Sequence, residues 1–174
     1  MKLVIGLGNP GEKYKETRHN AGWLALDFFR EKLNFSKTET FGKSKICKLS
    51  SEFGSGLFVY PQTFMNESGE AVLELLNFYK LSREDILILH DEIDLPLGAI
   101  RFTASSSAAG HNGVKSIIEK LGSQDFKRIR IGIENRENKK QIPTDAFVLQ
   151  NFNSEELQKI PYKEILGKVQ EFLK

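Results

Sequence analysis

The stretch "KLVIGLGNPGEKYKETRHNAGWLALDFF", residues 2–29, is the most informative about the fold class. It opens with a short apolar, partly β-branched run that ends in a Gly-Asn-Pro-Gly turn, and this pattern predicts a buried strand. From His19 onward the apolar residues cover most of a helical surface, so we expect this helix to be packed on more than one side. A buried strand followed by a covered helix is typical of an α/β protein.

The rest of the chain continues this alternation. Strands are predicted at 43–61, 85–91, 97–103 and 126–135, the first range being a hairpin that turns at 54–56. Helices are predicted at 19–33, 68–80 and 111–123, with a C-terminal helical segment from about 153 that is split near Pro161. We therefore expect one α/β domain over residues 1–174, with a mixed, largely parallel, twisted sheet and helices on both faces.

Composition narrows the class of protein without identifying a partner. The chain has 174 residues, a length that suits one domain, and its net charge of +2 is too balanced to indicate a nucleic-acid ligand by itself. The single Cys47 excludes an internal disulfide and favours a reducing compartment. No apolar run approaches membrane-spanning length, and Gly, Asn and Pro interrupt the first one, so we expect neither a membrane span nor a signal peptide.

Unusual polar residues follow four of the predicted strands. Asn9, Asn66, Asp91 and Asn112 each lie in a turn that comes after a strand, and His19 begins the helix after the first turn. Ligands of open α/β sheets bind outside the carboxyl ends of the strands. If the strands are mostly parallel, these five side chains converge on one cleft.

The chemistry available to such a set is narrow. Asparagine amides donate and accept hydrogen bonds but do not transfer protons, so they are suited to holding a carbonyl group or a water molecule. His19 is the natural proton acceptor near neutral pH, and a helix N-terminus is expected to keep its ring neutral. Asp91 can fix the tautomer of His19 and support its developing charge. Because no convincing nucleophile accompanies them, the set indicates direct attack by water on a carbonyl group.

Each residue also has an ordinary structural explanation. Asn9 fits common turn chemistry, and Asn66 or Asn112 could cap or start the helix that follows. His19 could be a packing or capping residue, and Asp91 could pair with a surface cation. Only the conjunction of these residues at one edge of the sheet favours a functional site.

Two other kinds of site are weaker interpretations. His19, Asp91 and His111 could form a metal site with two histidines and one carboxylate, although no closely spaced pair of ligands accompanies them. The glycine-rich turn at 6–11 lacks the G-x-G-x-x-G spacing, and its proline removes a donor, so no dinucleotide site is expected.

Five stretches together resemble a known family: "GLGNPGEKYKETRHNAGW", "FVYPQTFMNESGEAV", "LHDEIDLPLGAIR", "AGHNGVKSI" and "FKRIRIGI". From Lys2 to about Phe152 the chain looks like a bacterial peptidyl-tRNA hydrolase. The resemblance implies a single-domain α/β enzyme without metal or cofactor that hydrolyses the ester between a peptide and the terminal ribose of tRNA. It also implies a cytoplasmic protein, which we expect to be a monomer, whose partner is peptidyl-tRNA.

The resemblance assigns roles residue by residue. It makes His19 the catalytic base and Asp91 its orienting partner. The residues that hold the substrate and the water are then Asn9, Asn66 and Asn112. The cleft wall contains Tyr14, near the tRNA terminus, and Met65, toward the peptide. His111 is expected to be structural or part of the substrate-binding wall.

Basic residues on two predicted strands are candidates for tRNA phosphate contacts. Alternation in "FKRIRIGI" places Arg128 and Arg130 on one face, opposite the isoleucines, and the ordinary explanation of such a face is a solvated basic surface. If the strand that carries Arg101 is a neighbour, Arg101 and Arg130 form a small cationic patch. The resemblance implies that this patch binds the 5′ phosphate of tRNA, although a basic position of the family is Thr103 here.

Two further departures concern loops and the tail. Where the family has a glycine-rich stretch, this chain has "ASSSAA" at 104–109, which alters the expected mobility and the peptide-side contacts of the loop. The tail after Phe152 is shorter than in many members, so the lid and acceptor-stem contacts of the family do not carry over to it.

Two alternatives to the hydrolase remain open. Some plant organelle proteins with this fold bind RNA in intron splicing without hydrolysing peptidyl-tRNA, and a turnover assay separates them from the enzyme. The other alternative is a metal-dependent hydrolase of small esters or amides, whose activity would disappear with a chelator.

Overall fold

The computed structural model describes residues 1–52 and 54–174, and these form a single seven-stranded sheet with helices. The strands are β1 (Lys2–Gly6), β2 (Glu39–Phe41), β3 (Ser44–Ser51), β4 (Gly54–Pro61), β5 (Ile86–Pro96), β6 (Ile100–Thr103) and β7 (Lys127–Glu134). Their order across the sheet is β2-β3-β4-β1-β5-β7-β6. Strands β4, β1, β5 and β7 are parallel neighbours, whereas β3 and β6 run antiparallel to theirs, so the predicted mixed sheet is confirmed.

Helices cover both faces of the sheet, as predicted. They are α1 (Ala21–Lys32), α2 (Ser68–Tyr79), α3 (Asn112–Leu121), α4 (Thr144–Phe147), α5 (Ser154–Lys159) and α6 (Tyr162–Leu173). Buried residues of α1 and α6 share one apolar cluster with Leu87 and Leu89, and those of α2 and α3 share another with Ile86 and Ile88. This separation follows from the crossovers, because the β1-to-β4 and β4-to-β5 connections run in opposite directions and right-handed crossovers then place α1 and α2 on opposite faces.

The strand order reverses at β1, and α1 packs closely there. A Cβ atom on Gly22 of α1 would lie 2.3 Å from the carbonyl oxygen of Leu89 in β5 and 2.5 Å from the backbone nitrogen of Leu7. Only a glycine permits this approach of helix to sheet. The turn that precedes α1 is therefore held at the carboxyl edge of β1 and β5, the position at which open α/β sheets bind ligands.

The hairpin is confirmed, but its glycines have another role. Strand β3 ends at Ser51 and β4 begins at Gly54, so the predicted turn at 54–56 lies inside β4, and residue 53 is outside the described part. A Cβ atom on Gly54 would lie 2.4 Å from the carbonyl oxygen of Leu173, and one on Gly56 would lie 2.7 Å from its side chain. These glycines therefore accommodate the end of α6.

Two predictions about the strands need correction. The strand predicted at 85–91 does not end in a turn at Asp91 but continues to Pro96, so Asp91 and Glu92 are paired with β7. Strand β6 is antiparallel to β7, so it ends at the opposite edge and the segment after Thr103 returns across the sheet. No sequence pattern predicted β2 or α4. In the described part of the chain, no helix is long and apolar enough to span a membrane.

Candidate active site

Asp91 lies at the centre of a cluster of histidines at the carboxyl edge of the sheet. Its Oδ1 atom lies 2.8 Å from Nε2 of His111 and 3.0 Å from Nδ1 of His19, and its Oδ2 atom lies 2.9 Å from the same His19 nitrogen. The carboxylate is 2% exposed. The structure thus brings together β5, the turn before α1 and the start of α3.

His111 has its protonation fixed by the backbone. Its Nδ1 atom accepts hydrogen bonds from the N–H groups of Gly113 at 3.1 Å and Val114 at 3.2 Å, and in this way it caps α3. A neutral imidazole whose Nδ1 accepts must carry its proton on Nε2, so His111 donates that proton to Asp91. Asn112 begins the helix as expected, but its cap comes from His111.

His19 lines a cavity and has one ring nitrogen without a partner among the described residues. Because Nδ1 faces Asp91, the neutral ring donates from Nδ1 and keeps a lone pair on Nε2. In the described part of the chain, no residue hydrogen-bonds to Nε2. His19 is therefore able to accept a proton from a molecule in the cavity.

The backbone of His19 is held by a distant segment. Contrary to prediction, His19 lies in a 3₁₀ turn, Arg18–Asn20, and α1 starts only at Ala21. The N–H group of His19 donates to the carbonyl of Val148 at 2.8 Å, and that of Arg18 donates to Gln150 at 3.0 Å. The segment after α4 thus fixes the position of the turn.

Arg18 strengthens this attachment. Its guanidinium is buried, donates to the two carboxylate oxygens of Glu156 at 2.9 and 3.1 Å, and stacks 4.2 Å from the centre of the Phe147 ring. Glu156 also completes a capping box with Asn153 at the start of α5. Sequence analysis missed the pair; the only available signal was the Asn-x-x-Glu capping pattern, which does not identify Arg18.

Burial and charge oppose each other in this cluster. Burial lowers the pKa of His19, but the charge and hydrogen bond of Asp91 outweigh it and leave the pKa above 6.5. Burial raises the pKa of Asp91, but electrostatic interactions and hydrogen bonds with His19 and His111 hold it well below its ordinary value. A helix N-terminus was expected to lower the pKa of His19, but the pKa is raised, because the interactions with Asp91 dominate.

His90 lies behind the cluster. Its ring is fully buried, Nδ1 lies 2.6 Å from the carbonyl oxygen of Asp91, and the ring centre lies 4.7 Å from that of His111. Burial, followed by the electrostatic interaction with His111, holds the pKa of His90 well below its ordinary value. His90 is thus a neutral packing partner of His111.

Asn9 joins two turns at the edge of the sheet. Its Oδ1 atom accepts the N–H of Met65 at 2.8 Å. Its backbone N–H donates to Oδ1 of Asn20, and its carbonyl oxygen accepts from Nδ2 of Asn20. With Oδ1 occupied, the Nδ2 group of Asn9 makes no hydrogen bond to any described residue and is available as a donor. Met65 is buried, and a Cβ atom on Gly113 would lie 2.5 Å from its sulfur.

The other predicted site residues differ in exposure. Asn66 is exposed in a 3₁₀ turn, and α2 starts at Ser68 without a cap from Asn66, so the capping interpretation is wrong. Asn112 is exposed and lines the same cavity as His19. Tyr14 is half-buried beneath Lys13, whose Nζ lies 4.8 Å from the ring centre. Asn9, Tyr14, Met65 and Asn66 do not line this cavity.

The cavity beside His19 has a volume of about 390 Å³. It is lined by His19, Asp91, Glu92, Ile93, Ala109, Gly110, His111, Asn112, Thr144, Asp145 and Val148. One wall comes from the unpredicted helix α4. The opposite wall is the end of the Ser-rich segment, where Ala109 has φ 48°, a left-handed conformation that favours glycine.

The basic residues are arranged differently from the prediction. Arg101 and Arg130 stand opposite each other on β6 and β7, so the expected pairing of these strands is confirmed. The face is not simply solvated, because Nε of Arg130 donates to Glu92 at 2.8 Å. Arg128 is 1% exposed and donates to backbone carbonyls of the Ser-rich segment, at 3.1 Å in the case of Ser107. Burial and then the charge of Arg130 lower the pKa of Arg128 to about 10.

Comparison with known proteins gives a consistent result. The family model described as peptidyl-tRNA hydrolase matches residues 3–174, which includes the tail beyond Phe152. The peptidyl-tRNA hydrolase of Mesoplasma florum is 47% identical over 160 residues, covering 92% of this chain and 85% of the relative. The peptidyl-tRNA hydrolase of Lactobacillus johnsonii is 44% identical over 158 residues, covering 90% of this chain and 83% of the relative.

Solved structures agree with the sequence relatives. The crystal structure of peptidyl-tRNA hydrolase from Acinetobacter baumannii has a TM-score of 0.83 and 30% identity, covering 99% of this chain and 92% of that one. A peptidyl-tRNA hydrolase in complex with n-propanol has a TM-score of 0.89 and 31% identity, covering 99% of this chain and 88% of that one. These likenesses in sequence and structure show that the chain belongs to the peptidyl-tRNA hydrolase family.

Proposed function

We propose that this protein hydrolyses the ester bond between the peptide and the terminal ribose of peptidyl-tRNA, releasing free tRNA and peptide. The observation that supports this most directly is the buried His19–Asp91 pair, which lines a cavity at the carboxyl edge of the sheet and leaves Nε2 of His19 without a hydrogen bond to any described residue. Family membership supports the choice of substrate.

In the proposed reaction, Nε2 of His19 accepts a proton from a water molecule, whose oxygen then attacks the ester carbonyl carbon. Asp91 stabilises the imidazolium that forms. The tetrahedral intermediate collapses with cleavage of the bond between the carbonyl carbon and the ribose oxygen. The proton on His19 passes to that oxygen, so the base is regenerated.

The asparagines are proposed to hold the substrate and the water. Asn9 has only its Nδ2 group free, so it serves as a donor to a carbonyl oxygen or a developing oxyanion. Both other asparagines are exposed: Asn112 contributes its amide from the start of α3, and Asn66 contributes its amide from the 3₁₀ turn before α2. Tyr14 and Met65 are proposed for the outer wall of the cleft, and His111 supports Asp91.

The remaining assignments follow from the family. We propose that Arg101 and Arg130 bind the 5′ phosphate of tRNA, and that the reaction uses no metal or cofactor. We also propose that residues 1–174 form one domain with a C-terminal helical segment from about 153, acting as a cytoplasmic monomer.

The decisive experiment is incubation with peptidyl-tRNA while the release of free tRNA is followed. The wild-type protein should turn over the substrate in the presence of a chelator, and His19→Ala should lose nearly all turnover while its tRNA affinity stays within a few-fold. Binding of tRNA without turnover by the wild-type protein would favour the RNA-binding alternative. Loss of turnover with chelator would favour a metal-dependent hydrolase.

A further inference from the structure

Glu92 is a second buried acid in β5, directly after Asp91. Its side chain is 4% exposed, and both of its oxygens are engaged. Oε2 accepts a hydrogen bond from Nε of Arg130 at 2.8 Å, and Oε1 accepts the N–H of Asp94 at 3.0 Å. The carboxylate therefore has a fixed position, because one contact is to the backbone of its own strand.

The contact with Arg130 leaves the outer edge of the guanidinium free. Glu92 engages only Nε, and no described residue accepts a hydrogen bond from the two terminal nitrogens of Arg130. Those nitrogens form the fork with which arginine binds a phosphate through two parallel hydrogen bonds. Arg101 is exposed and stands opposite Arg130 in the β6–β7 register, so it lies beside the same fork.

Charge gives a second reason for an acid at this position. Two adjacent strands carry three arginines. Arg101 of β6 stands opposite Arg130 of β7, and Arg128 lies two residues before Arg130 in β7. Like charges at this spacing repel each other, and a buried arginine needs a compensating partner. Glu92 binds Arg130 directly and also attracts Arg128 electrostatically, whereas the hydrogen bonds of Arg128 go only to neutral oxygens of Ser106 and Ser107.

We propose that Glu92 is a positioning residue for tRNA recognition: it directs the guanidinium of Arg130 so that the two terminal nitrogens receive the 5′ phosphate. This inference rests on the proposed function, which assigns the phosphate contact to Arg130. It adds that the direction of Arg130, and not only its charge, determines recognition. Because Glu92 also lines the cavity of His19, the phosphate site and the reaction site share one strand.

The test uses two acceptor-stem minihelices that carry the same peptidyl ester, one with a 5′ phosphate and one with a 5′ hydroxyl. The quantity measured is the ratio of kcat/KM for the two substrates. Glu92→Asp keeps the charge but withdraws the oxygen from Nε of Arg130, and we expect the ratio to fall about tenfold, equivalent to about 1.4 kcal/mol. Glu92→Gln loses the charge but keeps an acceptor oxygen at the right distance, and we expect it to retain most of the preference.

Glu134→Gln is the matched control. Glu134 lies at the end of β7, the strand that carries Arg130, but it pairs with Arg136 and touches neither Glu92 nor Arg130. It should leave the ratio unchanged. Thermal melting and turnover of the 5′-hydroxyl substrate show that each variant is folded.

The outcomes separate this inference from the proposed function. If Glu92→Asp keeps the preference while Glu92→Gln loses it, charge alone matters and the positioning role is wrong. If both variants keep it while Arg130→Ala loses it, the phosphate contact stands without help from Glu92. If Arg130→Ala also keeps it, the phosphate contact and the inference both fail. Absence of turnover in the wild-type protein would instead refute the hydrolase.

Discussion

Replacing Asp91 with asparagine tests the proposed mechanism most directly. His111 must donate from Nε2, because its Nδ1 accepts two backbone N–H groups. In Asp91→Asn, the amide oxygen of the new side chain is therefore expected to remain near His111, which turns the amide N–H₂ group toward His19. Nδ1 of His19 must then accept, and its proton moves to Nε2. The exchange thus removes the lone pair that the reaction needs.

The magnitude follows from the loss of the correct tautomer. In a Ser-His-Asp triad the same exchange lowers kcat about 10⁴-fold, and we expect a loss of about 10³- to 10⁴-fold here. This corresponds to about 4–5.5 kcal/mol in activation free energy. Stability should change less, by about 1–3 kcal/mol, because the amide still satisfies His111 and His19 and only charge-assisted contacts weaken.

The assay combines kcat on peptidyl-tRNA with urea denaturation of Asp91→Asn and of Asp125→Asn as control. Asp125 is exposed, and it accepts hydrogen bonds from Ser105 and Ser123 away from the histidine cluster. The control should retain wild-type kcat. A loss below tenfold for Asp91→Asn would refute the tautomer argument. An activity loss matched by unfolding of the variant would make Asp91 structural.

Four further expectations follow from the same geometry. Hydrolysis should fall as the pH drops through a pKa above 6.5, because protonated His19 cannot accept a proton; a kcat/KM profile measures this. Folding stability should show the opposite trend, since the raised pKa of His19 contributes stability that is complete below 6.5 and is lost as pH rises through the folded-state pKa; urea denaturation across this pH range measures it. Asn66→Asp should lower kcat/KM about 10²-fold without changing the melting temperature, because a carboxylate cannot donate to the substrate and Asn66 is exposed. Arg18→Ala should cost about 3–5 kcal/mol in urea denaturation, because it leaves the buried carboxylate of Glu156 without its cation.

Sequence patterns were sufficient where one local signal decided the structure. The apolar runs of β1 and β5 indicated buried strands, and β1, β5 and β7 are indeed parallel neighbours. The helix predicted at 111–123 is observed as α3, and Gly122 ends it with φ 66°. These features depend on residues close together in the chain, so hydrophobic periodicity and turn chemistry identify them.

The remaining features depend on partners that are distant in sequence. Alternation placed Arg128 and Arg130 on one face of β7, but it contained no information about what covers that face. Arg128 is buried by the segment of Ser106 and Ser107, which returns across the sheet because β6 is antiparallel. Likewise, the polar residues after Leu89 interrupt an apolar run, and only their pairing with β7 keeps them in the strand.

The hydrogen bonds of the histidine cluster also bear on the interpretation as a metal site. The ligand atoms of His19, Asp91 and His111 lie within 4.8 Å of one another, so distance alone permits a metal ion. A neutral histidine must offer a lone pair to a metal, yet Nε2 of His111 carries the proton that Asp91 accepts. Freeing this lone pair would move the proton to Nδ1, against the N–H groups of Gly113 and Val114, and remove the cap of α3. His111 and His19 both donate to the Asp91 carboxylate between them. The lone pair that remains free is on Nε2 of His19, and a general base requires such a lone pair.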